Sequence, residues 1–368
     1  MGPTVAYIRH KSLRHNIGLI RKSIGDRKIM AVVKANAYGH GDIEIARTAI
    51  DAGCEELGVA FIEEGIRLRE SGITTPVLVF GAHLPAHFDK AAQHQLAMTV
   101  TSPEQIKFLK MNPTSVPLYV HLKIDTGMNR IGFPDDDFTG YFRELQELEF
   151  VHIEGVYSHF ATSDEKDLTY AQRQINRFQS VVKKVQDISG RNFTFHMANS
   201  GAIMQLPDSY FDMVRPGIML YGYAPDPKYN PGWDLEPVMS LHSQLGLIKL
   251  VRANEPISYG RRYYTKEDTY IGVIPAGYAD GIARGNTNNS YVSINENLYP
   301  MVGTVCMDMV MVDIGKDLRC RPGDEVIIYG GAEDAPTHIS RIAARLGTIP
   351  YEVTCNLSAR VPRIHLYD

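Results

Sequence analysis

A (β/α)8 TIM-type barrel followed by a mostly β domain is the architecture this sequence predicts, and three observations predict it. From about residue 29 to 222, eight short β-branched runs alternate with segments of helical spacing. The residues just after those runs are unusually polar, as at the mouth of a barrel. Beyond Pro237 the alternation gives way to closely spaced strands and turns. The predicted boundaries are 9–236 for the barrel and 237–368, joined by 1–8, for the β domain. An open doubly wound sheet is the structural alternative.

The predicted barrel strands are Ile29–Val33, Glu56–Ala60, Val77–Phe80, Leu96–Val100, Leu118–Ile124, Ile153–Ser158, Thr194–His196 and Met213–Arg215. Helical spacing places Asp42–Asp51, Ile62–Glu70, Pro85–Gln93, Pro103–Lys110, Asp136–Leu148 and Tyr170–Ile188 between them, with a short turn or helix at Gly201–Leu206. Strands alternating with helices imply a parallel sheet, and eight units in about 200 residues is the count of a closed barrel. In the β domain the alternating stretches are Leu241–Leu250, Thr269–Val273, Tyr291–Ile294 and Glu325–Tyr329, and Val5–Ile8 is a candidate to pair with them.

The composition excludes several classes of partner. At 368 residues, 44% hydrophobic and 22% charged, with a formal net charge of -4, the chain is a globular protein without electrostatic bias towards nucleic acid or anionic membrane. Cys54, Cys306, Cys320 and Cys355 form no C-x-x-C pair, so neither a zinc site nor a disulfide framework is expected. Reduced thiols and the lack of an apolar leader or long apolar run point to the cytoplasm.

Five predicted strands deliver chemistry to one face. The first is followed by Lys34, inside Val33-Lys34-Ala35-Asn36-Ala37-Tyr38-Gly39. The fifth contains Lys123 and leads to Arg130; the sixth ends at His159; the seventh ends at His196, with Asn199 and Ser200 beyond; the eighth ends at Arg215, before Pro216 and Gly217. Alone, each has a structural reading: lysines snorkel, histidines sit satisfied in cores, Ser200 caps a helix. Together they suggest more. Desolvation at a barrel mouth lowers a lysine's pKa and makes it a nucleophile towards carbonyls, and strands seven and eight are where barrels bind phosphate. A phosphorylated aldehyde opposite a lysine means pyridoxal 5'-phosphate (PLP). No nucleotide-binding glycine loop, zinc-protease helix or serine-hydrolase elbow competes. His83 and His87, at i and i+4, read as a surface pair without further metal donors, and no metal is expected. In the β domain, Tyr259 beside Gly260, and Cys306-Met307-Asp308, are the anomalies.

These residues resemble the alanine racemases over essentially the whole chain. The similarity is carried by Ala31-Val32-Val33-Lys34-Ala35-Asn36-Ala37-Tyr38-Gly39-His40-Gly41, by His121 to Arg130, and by Ser158-His159-Phe160-Ala161. Ala198-Asn199-Ser200-Gly201, Arg215-Pro216-Gly217-Ile218, Ser258-Tyr259-Gly260 and Val305-Cys306-Met307-Asp308 complete it. The resemblance implies a PLP enzyme acting on a small amino acid, alanine, as a head-to-tail homodimer that supplies D-alanine for peptidoglycan. It implies that Lys34 holds the cofactor as a Schiff base and that Tyr259 is the opposing acid/base. Tyr38, Ser200, Gly217, Ile218 and Tyr351 would hold the phosphate, with Asn199 beside them. Arg130 would face the phenolic oxygen and substrate, braced by Lys123. Arg215 would meet the pyridine nitrogen, supported by His196, with His159 close to the ring. Tyr259 and Met307 would enter from the second subunit, with Cys306 and Asp308 in support. Arg215, where a related barrel decarboxylase of basic amino acids carries an acid, argues against that rival; the β domain argues against a non-catalytic PLP carrier. Serine as substrate stays open, because one small group is worth only about 1–3 kcal/mol of discrimination.

Overall fold

The structure, a computed structural model, describes residues 2–226 and 230–368. Eight parallel strands, Lys28–Val32, Glu56–Val59, Val77–Val79, Ala97–Val100, Leu118–Asp125, Val151–Tyr157, Thr194–His196 and Met213–Val214, pair in order. The eighth returns to the first through Met213↔Lys28 and Val214↔Ile29, which closes the barrel and leaves no sheet edge. All eight predicted strands are present, with ends shifted by at most two residues.

Outer helices bury one apolar stripe each. In Thr169–Ser189 the buried residues Ala171, Ile175, Phe178, Val181 and Val185 recur at helical spacing against the barrel wall. One helix was not legible. His10–Ile24 is rich in basic residues, yet buries Leu13, Ile17, Ile20 and Ile24. It touches helix Asp42–Asp51 and the turn Ile218–Tyr221, and so takes the outer position that follows the eighth strand. Its buried Asn16 is fully used: its amide donates to Leu220 and Glu236 carbonyls, and its oxygen accepts from the Glu236 N–H.

The β domain is built on a six-stranded sheet into which the chain's start is woven. Val5–Arg9 lies antiparallel to Met239–Gln244 and parallel to Arg363–Leu366. A second sheet joins Leu247–Val251, Thr269–Ile274 and Val310–Gly315. The predicted single stretch Leu241–Leu250 is therefore two strands in different sheets, parted at Leu245 and Gly246. Two helices, Ile339–Leu346 and Pro350–Cys355, follow the last predicted strand, in a stretch where the sequence predicts no element. They matter because the second lies against the barrel mouth. Among the described residues no helix is long and apolar enough to cross a membrane.

Candidate active site

The first barrel strand ends in an unusual turn. Ala35, Asn36, Ala37 and Tyr38 all have φ between 52° and 54°, one turn of left-handed helix made without glycine. Such backbone costs roughly 1–2 kcal/mol per residue for L-amino acids, so it persists only where its surroundings over-determine it. Here they do. Glu64 accepts from the Ala35 N–H (2.7 Å) with one carboxylate oxygen, and from Ala60 and Phe61 with the other. The Asn36 side chain accepts from the Asp42 N–H, and the buried His40 ring bonds the Ala37 and Tyr38 carbonyls. From the far end of the chain, Arg363 donates to the Gly39 carbonyl (2.8 Å). A Cβ at Gly39 would stand 2.3 Å from the Thr354 carbonyl, so glycine is required where helix Pro350–Cys355 presses on the turn.

The turn aims Lys34 into a cavity at the strand ends. Burial, then the nearby Arg130 charge, lower the Lys34 pKa. Lys123, Arg130, His159, Asn199, Ser200, Arg215, Gly217, Tyr38 and Tyr351 share the lining, so the strand-end residues predicted from the sequence do converge. Arg130 sits on a loop shaped by Asp125, whose carboxylate accepts the Gly127 and Asn129 N–H groups. Lys123 is buried with its ammonium over the Tyr157 ring, and burial followed by the Arg215 charge pushes its pKa far down.

Arg215 organises the opposite wall. Its guanidinium donates to the Ser158 and Met197 carbonyls, to His159 Nδ1 (3.2 Å) and to His196 Nδ1 (2.7 Å). Because guanidinium can only donate, His196 Nδ1 must accept, so its proton lies on Nε2 and is donated to His121 Nδ1 at 2.8 Å. Burial first, and the Arg215 charge second, keep all three histidines neutral; His121 is depressed to about 3. Burial lowers Arg215 itself only to about 10, so it stays charged at neutral pH. Tyr157, which the sequence reading missed, is the floor of this network. It stacks on His196, carries Arg215 over its ring and bonds Thr99. His121 was quoted only within a motif. The signal for both was their place on strands five and six, facing the barrel axis; Phe80, Val32 and Ile131 complete the missed lining.

Beside Lys34 lies a corner made for an anion. Ser200 Oγ accepts from the Gly217 N–H (2.9 Å) and lies 3.4 Å from the Met219 N–H. A Cβ on Gly217 would come within 2.6 Å of the Tyr38 hydroxyl. Asn199 lines the cavity but also caps helix Ser200–Gln205, accepting from the Ala202 N–H and the Ser163 hydroxyl. Ile218 is wholly buried in the core and, unlike Gly217, does not line the cavity. None of the described lining residues is acidic, while Lys34, Lys123, Arg130 and Arg215 are basic. The donors suit a phosphate monoester, and an amine depressed in pKa suits an aldehyde: the residues fit PLP.

Tyr259 and Met307 do not line this cavity. They are 74% and 52% exposed on the β domain, beside a separate hollow that also includes Cys306 and Asp308. Tyr259 tips a hairpin of Pro256–Ile257 and Tyr263–Tyr264. Cys306 Sγ meets Ser258 Oγ at 3.3 Å, and Asp308 pairs with Arg360. One expectation is corrected: His83 and His87 are not a surface pair on one helix. The helix begins at His87, and His83 is 8% exposed because the loop after the third strand folds inward and Gln105 bonds its carbonyl.

A closed barrel with a buried amine among cations at its mouth, followed by a β domain, defines the class: a carbonyl-binding lysine enzyme of the (β/α)8 type. The comparisons narrow it. The profile "Alanine racemase, N-terminal domain" matches residues 8–225, and "Alanine racemase, C-terminal domain" matches 238–365. The chain is 42% identical over 370 residues to "Alanine racemase 2" of Caldanaerobacter subterraneus, covering 99% of this chain and 95% of that one. The solved alanine racemase of Clostridium difficile 630 superposes with a TM-score of 0.93 at 38% identity, covering 100% and 97% of the two chains. The Bacillus anthracis alanine racemase, solved with bound L-Ala-P, gives 0.93 at 34% identity, over 100% and 96%. The chain belongs to the alanine racemase family, PLP-dependent isomerases.

Proposed function

We propose that this enzyme interconverts L- and D-alanine with PLP, Lys34 and Tyr259 acting on opposite faces of the substrate's Cα. The observation that carries the reading is the depressed Lys34 amine in a cation-lined cavity beside the Ser200–Gly217 corner. Lys34 would hold the cofactor; Tyr38, Ser200, Tyr351 and the backbone at Gly217 and Ile218 would hold its phosphate. When bound, the cofactor supplies an aldehyde for the amine and a conjugated ring that delocalises the electron pair left at Cα.

The chain's own groups do the rest. Lys34, once free of the cofactor, would take or return a proton at Cα, and burial favours the neutral amine that this needs. Arg215 keeps its protons and offers only donors, so it would hold the cofactor's ring nitrogen unprotonated, which would weaken the electron sink and disfavour transamination. Arg130 would orient the phenolic edge and the substrate by charge, braced by the buried Lys123. Tyr259 would supply the second acid/base from a partner subunit, and Met307 would narrow the pocket. That head-to-tail homodimer is supported by the exposure of both residues and their distance in the fold from the Lys34 cavity.

The division into 9–236 and 237–368 with 1–8 is part of the proposal, supported by the strand pairings of Val5–Arg9. A cytoplasmic setting, with D-alanine feeding peptidoglycan, rests on the four unpaired cysteines and the family. The test is a chiral assay of the PLP-loaded protein with L-alanine, beside L-serine and L-lysine, following D-isomers and carbon dioxide. D-alanine far above D-serine is expected. Carbon dioxide from lysine, or no exchange despite bound cofactor, overturns the reading in favour of a decarboxylase or carrier.

A further inference from the structure

The turn that carries Tyr259 is strained. Ser258 has φ 65° and ψ -173°, backbone that side chains rarely adopt, and Gly260 and Arg261 also have positive φ. Across from it lies Gly303-Thr304, and the two segments exchange hydrogen bonds. Ser258 Oγ donates to the Thr304 carbonyl at 2.6 Å, and Thr304 Oγ1 donates to the Tyr259 carbonyl at 2.6 Å. Thr304 is 2% exposed and its neighbour Gly303 is so close that a Cβ there would meet Ser258 Cβ at 2.9 Å. The Tyr259 ring itself is exposed, so within its own chain the backbone of the turn, not packing of the ring, sets where the side chain starts from.

We propose that Thr304 is a positioning residue for the proton transfer at Tyr259: its hydroxyl clamps the Tyr259 carbonyl and holds the strained turn in the one orientation that presents the phenol. The inference rests on the reading of Tyr259 as an acid/base. A bond to the residue's own carbonyl fixes the peptide plane next to the side chain, and misplacement by an ångström costs catalysis on the order of 10²-fold. Removing the hydroxyl leaves the phenol in place chemically and the Ser258 bond to the Thr304 carbonyl intact, but releases the Tyr259 carbonyl.

The test uses the PLP-loaded enzyme in heavy water and follows α-proton exchange from L-alanine and D-alanine separately. Thr304→Val, close in shape but without the hydroxyl, should slow exchange from L-alanine by about 10- to 100-fold while leaving that from D-alanine, at Lys34, within about threefold. Thr304→Ser, which restores the hydroxyl, should return the L-side rate. Cofactor absorbance and a thermal melt establish that both variants are folded and loaded. Adding Thr304→Val to Tyr259→Phe should cause no further L-side loss if Thr304 acts only through Tyr259. Equal slowing of both exchanges, a Thr304→Ser variant as slow as Thr304→Val, or further loss in the double variant overturns the proposal. Unchanged L-side exchange in Tyr259→Phe itself overturns the underlying role of Tyr259 instead, so the two failures are told apart.

Discussion

Two of the turns that hold non-glycine residues at positive φ present Lys34 and Tyr259, and these two are supported very differently. The turn after the first barrel strand carries Lys34 and is braced by Glu64, Asn36, His40 and the docked C-terminal segment. The hairpin turn carrying Tyr259 is tied at its base to Thr304, with its ring in the open. The contrast separates two ways of preparing an acid/base. A buried amine is tuned by desolvation inside its own domain; an exposed phenol can be held at an angle, but gains a tuned environment only against another surface.

Lys34→Ala should abolish racemisation and the visible absorbance of lysine-bound PLP together; retained absorbance would move the cofactor's attachment elsewhere. Tyr259→Phe should keep that absorbance yet slow proton removal from L-alanine by about 10²- to 10⁴-fold, the usual worth of a general acid/base. Full activity in both directions contradicts its role. The buried supports of the barrel turn and of Arg215 should show in stability. His40 and His121 are held to about 3 by burial, whereas an unfolded chain protonates them near 6.5. The unfolded state then binds more protons below that pH, so stability falls as pH drops from about 6.5 to 5, by roughly 2 kcal/mol for each histidine. Denaturant midpoints at pH 7 and 5 measure this, and a pH-independent midpoint refutes it. Last, Gly217→Ala places a methyl 2.6 Å from the Tyr38 hydroxyl and should weaken PLP retention about tenfold, read by equilibrium dialysis. Unaltered retention would mean that the corner is not the phosphate site.

Much of this was legible in the sequence because periodicity and chemistry agreed. Five of the barrel strands are short apolar runs with a polar residue at or soon after the end, so topology alone gathers Lys34, Arg130, His159, Ser200 and Arg215. What escaped did so for physical reasons. Helix His10–Ile24 hid its stripe beneath basic residues. Tyr157 looked like an ordinary strand aromatic, since only closure of the barrel turns its ring beneath Arg215 and Lys123. The left-handed backbone of Ala35–Tyr38 has no local sequence signal at all, as glycine or asparagine would normally be asked to make it. It is imposed by contacts distant in the chain, and that is also why helix Pro350–Cys355 mattered more than its length suggested. The inward fold of His83 was lost for a similar reason, being set by Gln105 on the next unit.

The bond from Arg363 to Gly39 joins residues 324 positions apart. A nascent polypeptide leaving the ribosome can therefore close its barrel once the strand Met213–Val214 has emerged, while the segment that clamps the lysine turn is still unsynthesised. Until Thr354 and Arg363 arrive, the turn is held only by the early contacts of Glu64, Asn36 and His40. The lysine turn therefore gains its last clamp only after residue 363 has been made.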